Sequence, residues 1–399
     1  ATIVTSHPRF FNVAETANWV VLARSLAKRF AVTQSSFTLL RCADSYIVTT
    51  PPRHEVAELK SVLHIGPVES KGGMQATIHH HLKHPPKGWK TESVNTHVDG
   101  SVLAKINAWR QAKKELSLRL KNDPPDVVHI HTATKYSWWR KLRVVKMCIT
   151  ANIPIILQVH AGNFHLFLQD KPSTARQFSR LVGHDLVTPV ALTPRHKKKI
   201  GISEMAVIGS PAPPTKQIDS STRDRNMLIL LARPSPIKGH RLAIAAVQNL
   251  RERGHSVNLH LSGISPSHQW VHPLGIEEGI HARGWLSGVE KDELLENAGL
   301  LLIPSTFEGM PVSAMEALSC GLPVVASPAC DGILGDAGII VEQLDSDAWA
   351  DAIAEILNDE EKWRQLSLAG PEAVAQQTPE ALGKQWAELY EKSLKGVSN

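Results

Sequence analysis

The sequence lacks the marks of several common protein classes. Its four cysteines are scattered through 399 residues without a Cys-x-x-Cys pair, so we expect neither a disulfide framework nor a structural zinc site. No apolar run approaches the ~20 residues that a membrane-spanning helix needs. The Gly-x-Gly-x-x-Gly fingerprint and the Walker A loop are also missing. These absences argue against a disulfide-rich domain, a membrane-spanning protein and a dehydrogenase.

The start of the sequence, its cysteines and its length predict the cellular compartment and the number of domains. The first residues show no charged start followed by an apolar segment, as a secretory signal would. Together with cysteines that have no evident partners, this predicts a cytoplasmic protein. A chain of 399 residues that is 42% hydrophobic is long enough for two or three domains with large cores.

The net charge of +6 conceals a strong asymmetry between the two halves of the chain. Residues 1–215 hold 29 Lys and Arg against 13 Asp and Glu, whereas residues 216–399 hold 15 against 25. The basic half suits an anionic membrane surface, such as the inner face of the cell membrane, or an anionic acceptor molecule. A solvated basic surface is the plain alternative. No nucleic-acid-binding motif accompanies the charge, so no nucleic acid partner is expected.

Short apolar runs alternate with helix-like segments through most of the chain. The runs are typical of buried parallel strands, and they lie at 62–65, 126–131, 153–159, 185–192, 226–232, 257–263, 281–285, 300–303, 323–327 and 338–342. Helical patterns lie near 74–82, 101–120, 137–148, 240–253, 345–357, 360–368 and 379–395. The alternation predicts an α/β protein with Rossmann-like, doubly wound parallel sheets.

A proline-rich stretch at 208–215 predicts a boundary between two such domains. We therefore divide the chain into an N-terminal extension of unclear role and three further parts, at 1–60, 61–215, 216–380 and 381–399. The middle two parts are the Rossmann-like domains, and the last part is a C-terminal helix. The extension is predicted to contain a strand at 1–6 and an amphipathic helix at 17–30.

The stretch at 304–327 organises the second domain. Pro311 suits the first position of a helix, and Gly321 suits the left-handed position just past its end. The polar loop before this helix then lies at the carboxyl end of a parallel strand, where open α/β sheets bind ligands. Backbone N–H groups of residues 309–312 can hold an anion there, although Pro311 has no N–H to donate. Glu308 and Glu316 flank the anion site, and their carboxylates are suited to accept hydrogen bonds from sugar hydroxyls.

Three further loops carry polar or flexible residues next to strand ends. Arg233 and Lys238 follow the strand at 226–232, where their charges can neutralise a diphosphate. The glycine pair Gly72-Gly73 allows the backbone to approach a ligand closely. His160 ends the strand at 153–159. Four other histidines, at 79, 80, 81 and 84, match no defined metal spacing, so a polar helix end is favoured there over a metal site.

These motifs occur in the order found in a known family. The run Glu308-Gly309-Met310-Pro311-Val312, in the pattern Pro-Ser-x-x-Glu-Gly…Glu-Ala-x-x-Cys-Gly-x-Pro-Val-Val, resembles the signature of retaining nucleotide-sugar glycosyltransferases of family four. Its Glu-Gly-Met-Pro variant resembles exopolysaccharide and lipopolysaccharide transferases. The resemblance covers residues from about 61 to 395. It implies the GT-B fold, in which two Rossmann-like domains face a central cleft and the last helix packs back on the first domain.

The resemblance also implies the ligands and the roles of the motifs. A nucleotide-sugar, UDP-linked by our expectation, is the donor substrate; the acceptor is a saccharide or a lipid-linked molecule; and no metal or other cofactor takes part. The residues implied in catalysis are Glu308, His160, Arg233 and Lys238. Those implied in donor binding are Gly72, Gly73, Arg233, Lys238, Leu286, Glu308, Gly309, Met310, Pro311, Val312 and Glu316.

Two other interpretations stay open on the residues alone. Glu308 and Glu316 would suit the acid and nucleophile of a glycoside hydrolase, although the cations Arg233 and Lys238 are then unexplained. A non-catalytic protein that binds a nucleotide-sugar, a polysaccharide or a membrane surface is the second interpretation. Product formation that depends on a nucleotide-sugar separates both from a transferase.

Overall fold

The computed structural model describes residues 38–42, 45–49, 59–216, 218, 220–271 and 278–396. The chain divides into a small unit, Ala1–Glu58, and a large unit, Leu59–Asn399. In the small unit, strands β1 (Thr38–Cys42) and β2 (Ser45–Thr49) form an antiparallel hairpin. The strand predicted at 1–6 and the amphipathic helix predicted at 17–30 lie outside the described residues.

The large unit begins with a parallel sheet. Its described strands are β3 (Lys60–Gly66), β4 (Trp89–Asn95), β5 (Val127–Thr132), β6 (Ile155–Val159), β7 (Val187–Ala191) and β8 (Ala206–Val207). Their order across the sheet is β4-β3-β5-β6-β7-β8. Strands β5 and β6 are buried along their whole length, as their apolar runs predict for the middle of a parallel sheet.

Helices connect these strands and cover both faces of the sheet. They are α1 (Gly73–Lys83), α2 (Val102–Asn122), α3 (Tyr136–Thr150), α4 (Phe164–Gln169), α5 (Pro172–Val182) and α6 (Pro194–Ile200). The Ser101 hydroxyl caps α2 by accepting from the Ala104 N–H, and Thr193 caps α6 by accepting from the His196 N–H. Trp138, Phe164 and Phe178 pack edge to face in the core between α3, α4 and α5.

A second parallel sheet follows. Its described strands are β9 (Asp224–Leu231), β10 (Asn258–Ser262), β11 (Ile280–Ala282), β12 (Ala298–Ile303), β13 (Val324–Ala326) and β14 (Gly338–Ile340), in the order β11-β10-β9-β12-β13-β14. Its helices are α7 (His240–Glu252), α8 (Val289–Asn297), α9 (Val312–Ser319), α10 (Ser346–Asn358), α11 (Glu360–Ala373) and α12 (Pro379–Lys395). Each face of this sheet has its own buried apolar cluster.

The last helix, α12, returns to the first sheet. Leu382, Trp386 and Tyr390 are buried in one apolar cluster with residues of β3 to β7. Lys60 of β3 forms an ion pair with Glu391 at 2.6 Å. Within the described residues, we find no helix with the length and apolar content needed to span a membrane.

The structure differs from the predicted elements at a few places. Pro311 is the N-cap of α9, with an extended ψ of 125°, and Val312 is the first helical residue. The helix therefore starts one residue later than predicted. Helix α11 continues to Ala373, through Pro371, beyond the predicted end at 368. Strands β1, β2, β4 and β8 and helices α4, α5 and α8 were not predicted at all. Gly321 does follow α9 in the left-handed conformation, with φ at 67°.

Candidate active site

A cavity of about 380 Å³ lies between the two sheets, at the carboxyl ends of their strands. Its walls come from the first sheet and α1 on one side, and from the second sheet and α9 on the other. The structure brings to this cavity all the residues that the sequence singled out, namely Gly72, Gly73, His160, Arg233, Lys238, Leu286, Glu308, Gly309, Met310, Pro311, Val312 and Glu316. They are separated by up to 244 positions in the chain, so the fold assembles them.

Two loops of the second domain are held against each other beneath this cavity. The Thr306 N–H donates to the Ile237 carbonyl at 2.8 Å. Gly239 has a φ of 70°, and a Cβ added there would overlap the Pro304 carbonyl. A glycine is needed at that point for both reasons. The close approach brings the Lys238 side chain to Glu308.

Each carboxylate of the site is paired with a lysine. Lys238 Nζ lies 2.7 Å from Glu308 Oε1, and Lys291 Nζ lies 2.5 Å from Glu316 Oε1. Glu308 is only 8% exposed, so its charge needs this partner. The sequence interpretation treated the two carboxylates as free acceptors, and it missed Lys291 because α8 was not predicted. The signal available was the acidic, helix-forming segment after Gly288, with one lysine in its first turn.

Arg233 lies where the two domains meet. Its guanidinium group approaches Gly72, since a Cβ there would lie 3.5 Å from the Arg233 side chain. Gly73 likewise faces Val312 at the start of α9. Across the described chain, no ion pair involves Arg233, so this exposed cation is available to an anionic ligand. The glycine loop of the first domain therefore borders the same space as the basic loop of the second.

His160 directly follows β6, and its ring is within hydrogen-bonding distance of another histidine. Its Nε2 lies 2.9 Å from His131 Nδ1, and His131 Nε2 lies 3.0 Å from His64 Nδ1. Burial, with smaller contributions from the nearby His196 and Lys141, lowers the pKa of His160 to about 3. His160 is therefore a neutral imidazole at physiological pH, able to exchange hydrogen bonds with a ligand but not to supply a positive charge.

The structure contains a second histidine cluster, distinct from the four histidines predicted at the helix end. Ring nitrogens of His64, His129 and His131 all lie within 4.8 Å of one another, in the buried core. His129 is also hydrogen-bonded to Tyr390 at 2.8 Å and to Gln158 at 3.2 Å, whereas the buried His64 Nε2 has no hydrogen-bond partner among the described residues. Of the four histidines noted in α1 and just after it, only His81 is fully buried beside this cluster.

A backbone contact closes the cavity at its base. A Cβ added to Gly162, just after His160, would overlap the Glu308 carbonyl. A Cβ added to Gly309 would lie 2.5 Å from the His160 carbonyl oxygen. The sequence analysis did not assign a function to Gly162, although a glycine that follows a strand-end histidine was the available signal.

We expect Gly162→Ala to force the two loops apart and to weaken the binding of every ligand that contacts both domains. The added methyl group has only backbone to displace, so the neighbour cannot rotate away. Gly183→Ala is the matched control, because its φ is −81° and a Cβ there would meet its nearest atom at 3.5 Å. Calorimetric affinity for nucleotide should fall in Gly162→Ala alone. Equal affinity in both variants would show that the contact is not needed for binding.

Solved structures share this architecture. The chain superimposes on sucrose-phosphate synthase from Thermosynechococcus elongatus with a TM-score of 0.65, over 84% of this chain and 98% of that one, at 16% identity. That identity supports a shared fold and nothing finer. The fold is the GT-B fold of glycosyltransferases, which confirms the predicted fold class.

Comparison of the sequence with protein-family models gives a match in the second domain. Residues 214–373 match the family model described as Glycosyl transferases group 1. The second domain of this chain is therefore similar to that family, which confirms the resemblance seen in its motifs.

Curated relatives match the chain over part of their length. The chain is 26% identical over 277 residues to the MMP alpha-(1->4)-mannosyltransferase of Mycolicibacterium hassiacum, which covers 65% of this chain and 61% of that protein. It is 31% identical over 150 residues to the D-inositol 3-phosphate glycosyltransferase of Corynebacterium efficiens, covering 34% and 35%. The chain thus spans about three fifths of the first relative and about a third of the second.

Proposed function

We propose that this protein is a retaining glycosyltransferase that moves a sugar from a nucleotide-sugar to a saccharide or lipid-linked acceptor in glycoconjugate synthesis. One observation carries the proposal. Three cations, two carboxylates and the N-terminus of α9 surround a single cavity at the strand ends of a GT-B fold. The family match of the second domain and the transferase names of the relatives support the same reaction class.

In the proposed arrangement, the donor lies against the second domain. Arg233 and Lys238 face the diphosphate, whose negative charge grows as it leaves, so their attraction is larger in the transition state. Glu316, steadied by Lys291, accepts hydrogen bonds from the ribose hydroxyls. Leu286 lies beside the nucleotide base in this proposal, and its N–H donates to Ser262 Oγ at 3.3 Å. We infer a UDP-linked donor from the Glu-Gly-Met-Pro resemblance.

The sugar lies between Glu308 and the first domain. Glu308 orients the sugar hydroxyls, and neutral His160 bonds the sugar or the acceptor from the opposite wall. For a retained configuration, the acceptor attacks from the face of the leaving phosphate, and a phosphate oxygen takes the acceptor proton. These steps need no metal or other cofactor.

The geometry disfavours the glycoside hydrolase alternative. A retaining hydrolase needs one protonated carboxyl group as acid, whereas both carboxylates of this site are ion-paired with lysines. A hydrolase also has no use for the exposed cation Arg233 at the cavity. Nucleotide release that requires an acceptor would distinguish a transferase, and NMR of the product's anomeric proton would report retention.

We also propose that the first domain contacts an anionic membrane surface. Helix α2 exposes Val102 and Leu103, which are 71% and 73% accessible. Residues 101–150 carry eleven Lys and Arg against three Asp and Glu. Exposed apolar side chains within a strongly basic segment suit the interface of an anionic bilayer. Sedimentation with phosphatidylglycerol vesicles, abolished by Val102→Ser/Leu103→Ser, is the expected result.

Thermal melting with UDP, GDP and ADP tests the donor site directly. We expect one nucleotide, UDP, to stabilise the protein, by ~2.7 kcal/mol at 100 times its Kd. Glu316→Ala should reduce that stabilisation, because the ribose loses its acceptor. The control Glu372→Ala removes an exposed carboxylate of α11 and should leave it unchanged. A protein that no nucleotide stabilises at saturating concentration would refute the transferase proposal in favour of a polysaccharide- or membrane-binding role.

A further inference from the structure

A cluster of basic side chains lies on the first domain, outside the residues that line the cavity, and it contains none of the residues assigned to the donor. It consists of His97, Lys105, Arg140 and Lys141, and we call it the basic cluster. Lys141 is 1% exposed, although lysine is rarely buried without an acidic partner. Its Nζ donates to Thr96 Oγ1 at 2.5 Å, and Thr96 is the residue that precedes His97 in the chain.

The members of the basic cluster are close enough to act on one another. Burial lowers the pKa of His97, and the charges of Arg140, Lys105 and Lys141 lower it further. Burial, with a contribution from Arg140, lowers the pKa of Lys141 to about 7. Among the described residues, Asp99 is the only carboxylate that acts on His97 in the opposite direction, and its Oδ2 already accepts from the Lys71 N–H at 2.9 Å.

The positive charge of the basic cluster is not compensated within the protein. Among the ion pairs of the described residues, none involves Lys105, Arg140 or Lys141. Two buried nitrogens, Arg140 Nε and His97 Nδ1, have no hydrogen-bond partner. Unpaired buried donors and partly buried cations each cost free energy. An anion that accepts from both would remove these costs together.

The position of the basic cluster points to the acceptor. The cavity extends to Ala133, whose N–H donates to Ser137 Oγ one turn before Arg140 in α3. On the other side, Lys141 is near enough to His160 to affect its ionisation. The donor diphosphate has its own cations, Arg233 and Lys238, in the opposite domain. A second anion on this side therefore belongs to the other substrate.

We propose that the basic cluster is a binding site for a phosphoryl group of the acceptor, with His97, Lys105 and Arg140 as ligands and the Lys141 amine buried next to Thr96. This rests on the proposed transferase function for its second substrate, although anion binding itself does not. The acceptor class is then a phosphate-bearing saccharide, either a free sugar phosphate or one joined to a lipid through phosphate.

Calorimetric titration with inorganic phosphate tests this site. The titration uses the Arg233→Gln protein, so that the exposed cation of the donor site contributes less, at constant ionic strength and neutral pH. Saturable binding is expected, and adding Arg140→Gln should weaken it about tenfold or more, because a charge-assisted hydrogen bond is lost. Arg143→Gln is the matched control, since Arg143 is an exposed residue one turn along the same helix. His97→Asn is the second test variant and should weaken binding as well.

Three results would overturn the proposal. These are the absence of saturable phosphate binding, an equal loss in the Arg140→Gln and Arg143→Gln proteins, or unchanged binding in both Arg140→Gln and His97→Asn. Sedimentation with phosphatidylglycerol vesicles distinguishes the source of the phosphate. If Arg140→Gln abolishes vesicle binding and free phosphate does not bind, the cluster recognises lipid headgroups instead. Nucleotide melting is independent of these outcomes, so a failure of the donor proposal is recognised separately.

Discussion

As the pH falls below 6.5, the free energy of unfolding is expected to drop steeply, by about 2 kcal/mol per buried histidine at pH 5. The cause is a set of buried imidazoles, namely His64, His81, His129 and His131, together with His160, which is partly buried at the cavity wall. Burial lowers the pKa of His64 and His160 to about 3, and it lowers those of the other three well below 6.5. No comparable set of depressed pKa values occurs among the carboxylates of the described residues.

The sign follows from proton uptake. In the unfolded chain each histidine takes up a proton near pH 6.5, whereas the folded protein keeps these five neutral to a much lower pH. Their contribution to stability is therefore complete above pH 6.5 and is lost as the pH falls toward the folded pKa values. Several of the rings contact each other, so a proton on one ring disfavours a proton on the next while the protein is folded. The rings therefore take up their protons together on unfolding, and acid unfolding should be cooperative.

Urea unfolding at a series of pH values measures this effect. The slope of the unfolding free energy against pH, below 6.5, counts the protons taken up on unfolding. His64→Gln should reduce the slope by about one proton, whatever it does to stability at neutral pH. His79→Gln, at an exposed position of α1, should not change it. A wild-type slope of less than one proton would contradict the buried, neutral state of the cluster.

The histidine core also shows where reasoning from the sequence stops. The strands at 62–65 and 126–131 were predicted from their apolar runs, and the histidines within them were visible. What places His64 beside His129 is the pairing of β3 with β5, in which the two residues are opposite each other. Helices α1 and α12 then cover them with His81 and Trp386. Such long-range pairing is not encoded in any local pattern.

The candidate site was more accessible to prediction, because strand ends and helix starts are local features. The apolar run before Pro304, the proline at the start of α9 and the glycine after its end identify the loop that carries Glu308. The family resemblance then linked that loop to Arg233, Lys238 and His160. Lys291 was missed because α8 is largely polar, and β4 because its exposed and half-buried positions give no apolar run. Ion pairs between separate helices depend on packing that neither sequence segment specifies.

Replacing Lys238 by methionine is expected to lower kcat by about 10²–10³-fold with a smaller effect on donor affinity. The lysine opposes the negative charge that develops on the leaving diphosphate, so it contributes more to the transition state than to the ground state. Its loss also leaves Glu308, 8% exposed, without a partner and facing the same negative charge. Arg241→Met, which removes an exposed cation from α7, is the control and should retain activity.

A double-mutant cycle separates the two parts of that loss. If the unpaired carboxylate causes much of the damage, Lys238→Met/Glu308→Gln should be more active than the product of the two single effects predicts. If Glu308 also orients the sugar, Glu308→Gln alone should lower kcat while nucleotide stabilisation in thermal melting stays unchanged. A Lys238→Met protein with normal kcat and a raised KM would instead make Lys238 a ground-state binding residue. In that case Arg233, which has no carboxylate partner among the described residues, would be left as the cation that stabilises the leaving group.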